Sequence, residues 1–172
     1  MSSAKPVALS RIAGGPEVRL LDARGAGLDE PALRAWAREL TDRARAPHSA
    51  RSYRYPCALI AWHSDLVGVD LERVEPYSEA FHDSICTPSE RGRIPDGAGR
   101  DAFLSSLWCS KEALGKALGD ALAYDPRRLE SPVFWPGGRA GRWRARALEA
   151  SAGHVAWLCW RASTAWDTAA QH

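Results

Sequence analysis

Within residues 66–72, aliphatic residues alternate with glycine or acidic residues from Val67 onward, and this alternation predicts a β-strand. Three aliphatic residues take every second position, and Gly68, Asp70 and Glu72 take the positions between them. Residues two apart on a strand project from the same face. The two acidic side chains are therefore expected to point the same way.

A second pattern, over residues 101–122, has the period of an α-helix. Its apolar stripe is formed by Leu104, Leu107, Leu114, Leu118 and Leu122. At about 100° per residue, Lys111 and Gly115 fall near the centre of that stripe. A row at i, i+4 and i+8 follows its edge: Trp108, Glu112 and Lys116. A lysine inside the apolar stripe of a core helix is unusual.

Shorter patterns complete the predicted order of elements. They are a strand over 17–22, an amphipathic helix from Asp29 that ends by Pro47, a hairpin of strands 57–62 and 66–71, a short helix near 78–85, a strand with a tight turn over 132–138, and a hairpin of strands 143–149 and 154–161. We expect His63 to be a solvated turn residue of the first hairpin. The order predicts an α+β fold.

Length, charge and cysteine usage narrow the function classes. The chain has 172 residues and a net charge of +2, which fits one ordinary globular unit and is not typical of a nucleic-acid-binding protein. No CxxC pair occurs among the four cysteines, so we expect reduced thiols in a cytoplasmic protein. The first residues lack the apolar region of a signal peptide, and no apolar run approaches the length of a membrane span. We therefore expect no membrane association.

The strand and the long helix together carry three carboxylates and two lysines. Taken singly, Asp70 and Glu72 are typical of a solvated strand face, and Glu112 with Lys116 of a surface helix ion pair. Taken together with Lys111, they form a set that suits Mg²⁺ shared between protein and substrate phosphates, with lysines as point charges on phosphate oxygens. Such a set is expected to handle a phosphate ester or a pyrophosphate.

Two motifs give the chain a resemblance to a known family. They are Gly68-Val69-Asp70-Leu71-Glu72 and, about forty residues later, Trp108-Cys109-Ser110-Lys111-Glu112-Ala113-Leu114-Gly115-Lys116. The pair resembles the signature of the 4′-phosphopantetheinyl transferases, which move phosphopantetheine from coenzyme A to a serine of a carrier protein. Thr87-Pro88-Ser89-Glu90 is similar to the family's segment ahead of the signature helix, and the resemblance spans about residues 50–135.

The resemblance implies a role for each residue of the set. Asp70, Glu72 and Glu112 would hold Mg²⁺ on the pyrophosphate of coenzyme A. Lys116 would grip that pyrophosphate, and Lys111 would stabilise developing charge or the leaving 3′,5′-ADP. Glu112, or a metal-bound water, would take the proton from the carrier serine.

One stretch departs from the family pattern. Larger members carry Ser-His-Ser just before the hairpin, where the histidine contacts a coenzyme A phosphate, and this chain has Ser52-Tyr53-Arg54 there. Arg54 or Arg51 would replace the lost contact, because a guanidinium binds phosphate through two parallel hydrogen bonds. Alternatively, His48 and Ser49 would serve if the following loop is longer.

The resemblance also implies how the chain is organised. Larger members are pseudo-dimers of two similar halves, and 69 residues precede Asp70 here, fewer than in those members but more than in the small trimeric synthases. We therefore expect a short, pseudo-dimeric member similar to the surfactin-synthetase-activating type. It would be a monomer and a single compact unit, with a trimmed N-terminal half at 1–65 and a C-terminal half with the motifs at 66–172.

Three hypotheses about function follow. The first is Mg²⁺-dependent transfer of phosphopantetheine from coenzyme A to an acyl or peptidyl carrier protein. The second is a repurposed enzyme on the same fold that acts on another phosphate ester or a coenzyme A thioester. The third is a non-catalytic module that binds carrier proteins. The pathway, whether it makes fatty acids or secondary metabolites such as polyketides and peptides, is left open.

Overall fold

A computed structural model describes residues 8–12, 15–22, 48–54, 57–120 and 124–162 of the chain. These residues form two antiparallel four-stranded sheets and one long helix, with short helices in the connections. This arrangement confirms the predicted α+β fold. Within the described ranges, we find no helix that combines the length and the apolar character needed to cross a membrane.

The first sheet contains the N-terminal strands, in the spatial order β1-β2-β4-β3. The strands are β1 (Ala8–Arg11), β2 (Glu17–Asp22), β3 (His48–Arg54) and β4 (Cys57–His63). The predicted strand over 17–22 is confirmed as β2. The helix predicted from Asp29 to Pro47 lies outside the described residues.

The second sheet has the order β5-β8-β7-β6. Its strands are β5 (Val67–Arg73), β6 (Arg139–Ala140), β7 (Trp143–Leu148) and β8 (His154–Arg161). The hairpin predicted at the C-terminal end is confirmed, because β7 pairs with β8 in an antiparallel register that sets Ala145 opposite Cys159.

The predicted hairpin of β4 and β5 is wrong. β4 pairs with β2 and β3, whereas β5 pairs with β8, so the chain changes sheets at Ser64, Asp65 and Leu66. Alternation shows that a segment is a strand but does not specify its partner. The backbone N–H of Arg161 donates to the Leu66 carbonyl over 3.0 Å, so pairing with β8 already begins there.

The prediction of a solvated His63 is also wrong. His63 is the last residue of β4 and is only 9% exposed. Its Nδ1 accepts a hydrogen bond from the backbone N–H of Asp65 over 3.2 Å. The ring therefore braces the turn between the sheets.

The helices are α1 (Glu79–Ile85), α2 (Pro88–Arg91) and α3 (Arg100–Leu118). The long predicted helix is confirmed as α3, but it ends at Leu118 and not near residue 122, because Gly119 adopts a φ of 83°. Leu118, predicted to belong to the apolar stripe, is exposed. The strand predicted at 132–138 is wrong. Two 3₁₀ turns occupy this segment, since Pro132 and Pro136 each open a turn and lack the N–H that a sheet ladder needs.

Strand β5 is the centre of the packing. Its aliphatic face packs on the first sheet and on β8 in one core, which comprises Val18, Leu59, Ala61, Val67, Val69, Leu71, Ala156, Leu158 and Trp160. Its other face, which carries Gly68, Asp70 and Glu72, is directed toward α3, where the backbone at Ala113 and Ala117 closely approaches Gly68. The sequence therefore places its acidic residues where a strand meets a helix.

Gly68→Ala is expected to destabilise the fold strongly. A Cβ at this position would overlap the carbonyl oxygen of Ala113 and the backbone nitrogen of Ala117, so α3 would have to move. Overpacking of this kind costs roughly 3 kcal/mol, measured as the free energy of unfolding in urea. Gly92→Ala is the matched control, because a Cβ there meets no atom within 4 Å. A Gly68→Ala protein as stable as this control would contradict the close approach.

Acid is expected to weaken the link between the turn after β4 and the end of β8. Arg161 donates to both carboxylate oxygens of Asp65 over 2.6 to 3.0 Å, and these hydrogen bonds lower the pKa of Asp65 to about 2. The stabilisation is fully present above the unfolded-state pKa of about 3.9 and is lost as the pH falls toward about 2.

Urea unfolding across this pH range tests that linkage. Asp65→Asn should lower stability at neutral pH and flatten the acid-dependent decline. Asp96→Asn, on an exposed residue without a side-chain capping bond, should keep the wild-type profile. An Asp65→Asn profile that runs parallel to wild type at every pH would refute the linkage.

Candidate active site

The acidic face of β5 meets the edge of α3 at a charged contact. Asp70 is 3% exposed, and the Lys116 ammonium donates to its Oδ1 over 2.6 Å. Glu72 lies two residues further along the same face and is half-buried. The approach of the helix over Gly68 brings these groups together.

Glu112 and Lys116 of the predicted row on α3 lie at this contact, whereas Trp108 packs edge-on against Phe81. Trp108, Glu112 and Lys116 are each half-buried, while Lys111 and Gly115 are buried. The period of the helix thus assigned each of these positions correctly. Glu112 precedes Lys116 by one turn and therefore stands beside the Asp70 ion pair.

Glu112 is held by a residue from beyond the helix. The Tyr124 hydroxyl donates to its Oε1 over 2.7 Å. Burial raises the pKa of Glu112, the hydrogen bond from Tyr124 opposes this shift, and the charge of Asp70 adds to it. Burial and then the hydrogen bond to Glu112 raise the pKa of Tyr124. The carboxylates of Asp70 and Glu112 therefore repel one another at a site that is partly shielded from solvent.

The predicted metal ligands do not converge in one coordination sphere. Across the part of the chain that the structure describes, no group of three or more histidine, cysteine, aspartate or glutamate side chains is close enough to hold a metal ion. Asp70 and Lys116 are in direct contact, and Glu112 is near enough to Asp70 for one charge to act on the other. A cation shared by all three predicted carboxylates would require their side chains to turn.

Lys111 points into the protein interior. It is 0% exposed, and its Nζ donates to the Ile85 carbonyl over 2.6 Å, to Glu90 Oε2 over 2.6 Å and to the Pro126 carbonyl over 2.8 Å. An ammonium has three protons, so these contacts use all of them. Burial lowers the pKa of Lys111, and the Glu90 hydrogen bond opposes this shift. This placement argues against the predicted contact with the leaving nucleotide and favours a structural role.

Glu90 is the buried anion that Lys111 neutralises. Its Oε1 accepts from the Ser131 backbone N–H over 2.6 Å, and its Oε2 also accepts from the Thr87 backbone N–H over 2.7 Å. Thr87 and Glu90 form a reciprocal cap on α2. The T-x-x-E spacing in the sequence is typical of this cap, but only the fold shows that Glu90 pairs with Lys111.

The predicted coenzyme A contacts lie together on β3. Ser52, Tyr53 and Arg54 stand opposite Leu59, Ala58 and Cys57 of β4, and Arg51 stands opposite Ile60. The alternative pair, His48 and Ser49, begins the same strand. Because β3 also contacts β5, every predicted coenzyme A residue before the motifs is on a strand next to the one that carries Asp70.

Two aromatic residues near the site were missed by sequence reasoning. Tyr124 follows the helix without any periodic signal. Trp157 of β8 packs against the core cluster that contains Ala113 and Cys159, and it also stands opposite Asp70 in the β5–β8 register. Its Nε1 donates to Ser106 Oγ over 2.8 Å. Only the strand register, which the sequence did not provide, reveals that neighbour.

Fold and site together define an α+β protein with a carboxylate and lysine site between a sheet and a helix. The model of the 4′-phosphopantetheinyl transferase superfamily matches residues 66–165, and the chain belongs to this superfamily. No curated protein matches the chain. Among solved structures, holo-[acyl-carrier-protein] synthase of Thermotoga maritima is similar at 25% identity and a TM-score of 0.42. That match covers 55% of this chain and 61% of the other.

Proposed function

We propose that this protein transfers the 4′-phosphopantetheine group of coenzyme A to a serine of an acyl or peptidyl carrier protein, with Mg²⁺ as cofactor. The observation that carries the proposal is the contact of Asp70 with Lys116, beside Glu112. These residues come from both signature motifs, and the fold joins them although 46 positions separate the two contact residues. Membership of the superfamily supplies the reaction class.

The chemistry of the donor set fits a magnesium ion. Carboxylate oxygens are the ligands that Mg²⁺ prefers, and the charge of Asp70 contributes to the raised pKa of Glu112, a repulsion that a bound cation would relieve. Asp70, Glu72 and Glu112 would hold the ion. When bound, it would neutralise charge on the pyrophosphate oxygens of coenzyme A.

Protein side chains would bind the pyrophosphate and remove the proton of the serine. Lys116, which is half-buried, would exchange its contact with Asp70 for the pyrophosphate. The serine oxygen would form a bond to the β-phosphorus as the bond from that phosphorus to the oxygen of 3′,5′-ADP breaks. Glu112, which lies beside Asp70 and Lys116, would take the serine proton.

The first sheet would supply the rest of the coenzyme A site. Arg51 or Arg54 on β3 would hold a phosphate in place of the family's histidine, together with Ser52 and Tyr53. The contact between β3 and β5 supports this role. Two four-stranded antiparallel sheets within one chain support a pseudo-dimeric protein that acts as a monomer.

Intact mass spectrometry of carrier proteins tests the proposal. Several apo carrier proteins are incubated with this protein, coenzyme A and Mg²⁺. We expect one carrier at least to gain the mass of one phosphopantetheine, and EDTA to abolish the gain. A carrier whose acceptor serine is replaced by alanine is the control and should gain nothing.

A different outcome would favour another enzyme on this fold. If no carrier gains mass but coenzyme A still binds in a Mg²⁺-dependent manner, the site acts on another phosphate ester or on a coenzyme A thioester. If coenzyme A does not bind at all, a carrier-binding module without catalysis is favoured.

A further inference from the structure

Tyr124 is an aromatic residue that donates a hydrogen bond to a carboxylate of the candidate site. Its hydroxyl lies 2.7 Å from Glu112 Oε1. Its ring lies over Gly115, where a Cβ would stand only 2.7 Å from the ring carbon Cε1. Gly115 therefore leaves the space in which the ring sits, one helical turn from the carboxylate that the hydroxyl contacts.

Hydrogen bonds link Tyr124 to the residues just after α3, and Pro126 to Lys111 within α3. The Tyr124 backbone N–H donates to the Asp120 carbonyl over 3.2 Å. Two residues later, the Pro126 carbonyl accepts from the buried Lys111 ammonium over 2.8 Å. Lys111 and Glu112 are neighbours on α3. The same turn of the helix therefore carries the lysine that binds the Pro126 carbonyl and the glutamate that accepts the hydrogen bond from the Tyr124 hydroxyl.

We propose that Tyr124 is a positioning residue that fixes the carboxylate of Glu112 for its work in the site. The phenol occupies Oε1 with a neutral donor, so Oε2 is left for a cation or for the proton of the incoming serine. A hydrogen bond from a second residue orients a ligand and restricts its rotation, and losing it typically costs 10- to 100-fold in metal affinity or activity. This inference rests on the proposed function, since it assigns Tyr124 a part in the same reaction.

Two variants perturb the contact in different ways. Tyr124→Phe removes the hydroxyl and keeps the ring over Gly115. Gly115→Ala keeps the hydroxyl but pushes the ring away from its place. Tyr77→Phe is the matched control, because it removes a phenol hydroxyl that accepts a hydrogen bond from Ser105 Oγ over 3.4 Å, outside the site.

Mn²⁺ binding and steady-state kinetics provide the readouts. The affinity for Mn²⁺ is measured by electron paramagnetic resonance in the presence of coenzyme A, with the melting temperature recorded for each variant. We expect Tyr124→Phe and Gly115→Ala to weaken Mn²⁺ binding about tenfold and to lower kcat about 10- to 100-fold. The KM for coenzyme A should change less than about twofold, because neither variant alters Lys116. Tyr77→Phe should match wild type in Mn²⁺ affinity, kcat and KM.

The outcomes separate this inference from the proposed function. If wild type modifies a carrier protein and Tyr124→Phe equals it in Mn²⁺ affinity and kcat, the positioning role is overturned while the function stands. If no carrier is modified but Tyr124→Phe still binds Mn²⁺ about tenfold more weakly than wild type, the function fails and the positioning role stands. If wild type binds no Mn²⁺ with coenzyme A present, both are overturned.

Discussion

Asp70→Asn is expected to abolish phosphopantetheine transfer while the protein remains folded. Asparagine keeps the size of the side chain and one carbonyl oxygen, but it removes the charge that holds Lys116 and that would bind Mg²⁺. Loss of a metal ligand and of a charged contact together should lower the rate at least about 10³-fold, which corresponds to about 4 kcal/mol of transition-state stabilisation. Initial rates of carrier modification measure this loss.

Stability is the check that the loss is chemical. Lys116 is half-buried and can turn to solvent once Asp70 is neutral, so we expect the free energy of unfolding to fall by only about 1 kcal/mol. Glu112→Gln should reduce transfer similarly. Asp96→Asn removes an exposed carboxylate at the start of a 3₁₀ turn and should leave the rate unchanged. Turnover by Asp70→Asn above a tenth of the wild-type rate would remove Asp70 from the mechanism.

The sequence predicted the parts of the site that depend on local periodicity. Alternation in β5 sets Asp70 and Glu72 on one face, and the helical period sets Glu112 and Lys116 on the row that meets it. Both predictions need only the geometry of a single element. The contact between this strand and the helix is a property of the fold: Gly68 lets the α3 backbone at Ala113 and Ala117 approach β5, whereas Gly115 leaves space for the Tyr124 ring.

What the sequence could not provide depends on contacts between elements. The pairing of β4 and β5 was mispredicted because a short polar connection fits a hairpin and also fits a change of sheet. The position of Tyr124 depends on how the chain returns after α3, and a single tyrosine in irregular structure has no period to reveal it.

Lys111 shows the same limit for a residue in a signature motif. The helical period predicts its burial, and the structure confirms it. A buried lysine needs partners for its charge and its three protons, but those partners are separated from it by 15 to 26 positions, in α1, α2 and the turn after α3. The resemblance therefore led to a phosphate contact, whereas the structure favours an internal ion pair.

Lys111→Met is expected to cost about 3–5 kcal/mol of unfolding free energy, since it leaves the Glu90 carboxylate buried without a counter-charge. Methionine has a similar length, so packing changes little. The carbonyls of Ile85 and Pro126 also lose their donor. Urea unfolding followed by tryptophan fluorescence measures the effect, and the eight tryptophans of the chain provide the signal.

A double-mutant cycle isolates the ion pair from its surroundings. Glu90→Gln should itself be destabilising, but Lys111→Met with Glu90→Gln should cost at least about 2 kcal/mol less than the sum of the two single changes, because no buried charge remains. The exposed pair of Arg91 and Asp83 is the matched control. The cycle of Arg91→Met and Asp83→Asn should give a coupling below about 1 kcal/mol.

The outcome decides between the two roles considered for Lys111. If Lys111 is a structural residue, Lys111→Met lowers stability, and the molecules that remain folded keep most of their affinity for coenzyme A. If the Lys111→Met protein has wild-type stability but no longer binds coenzyme A, the result would instead support the phosphate contact that the resemblance implies. The ammonium would then have to leave Glu90, Ile85 and Pro126, and nothing in their geometry, with three hydrogen bonds of 2.6 to 2.8 Å, favours that movement.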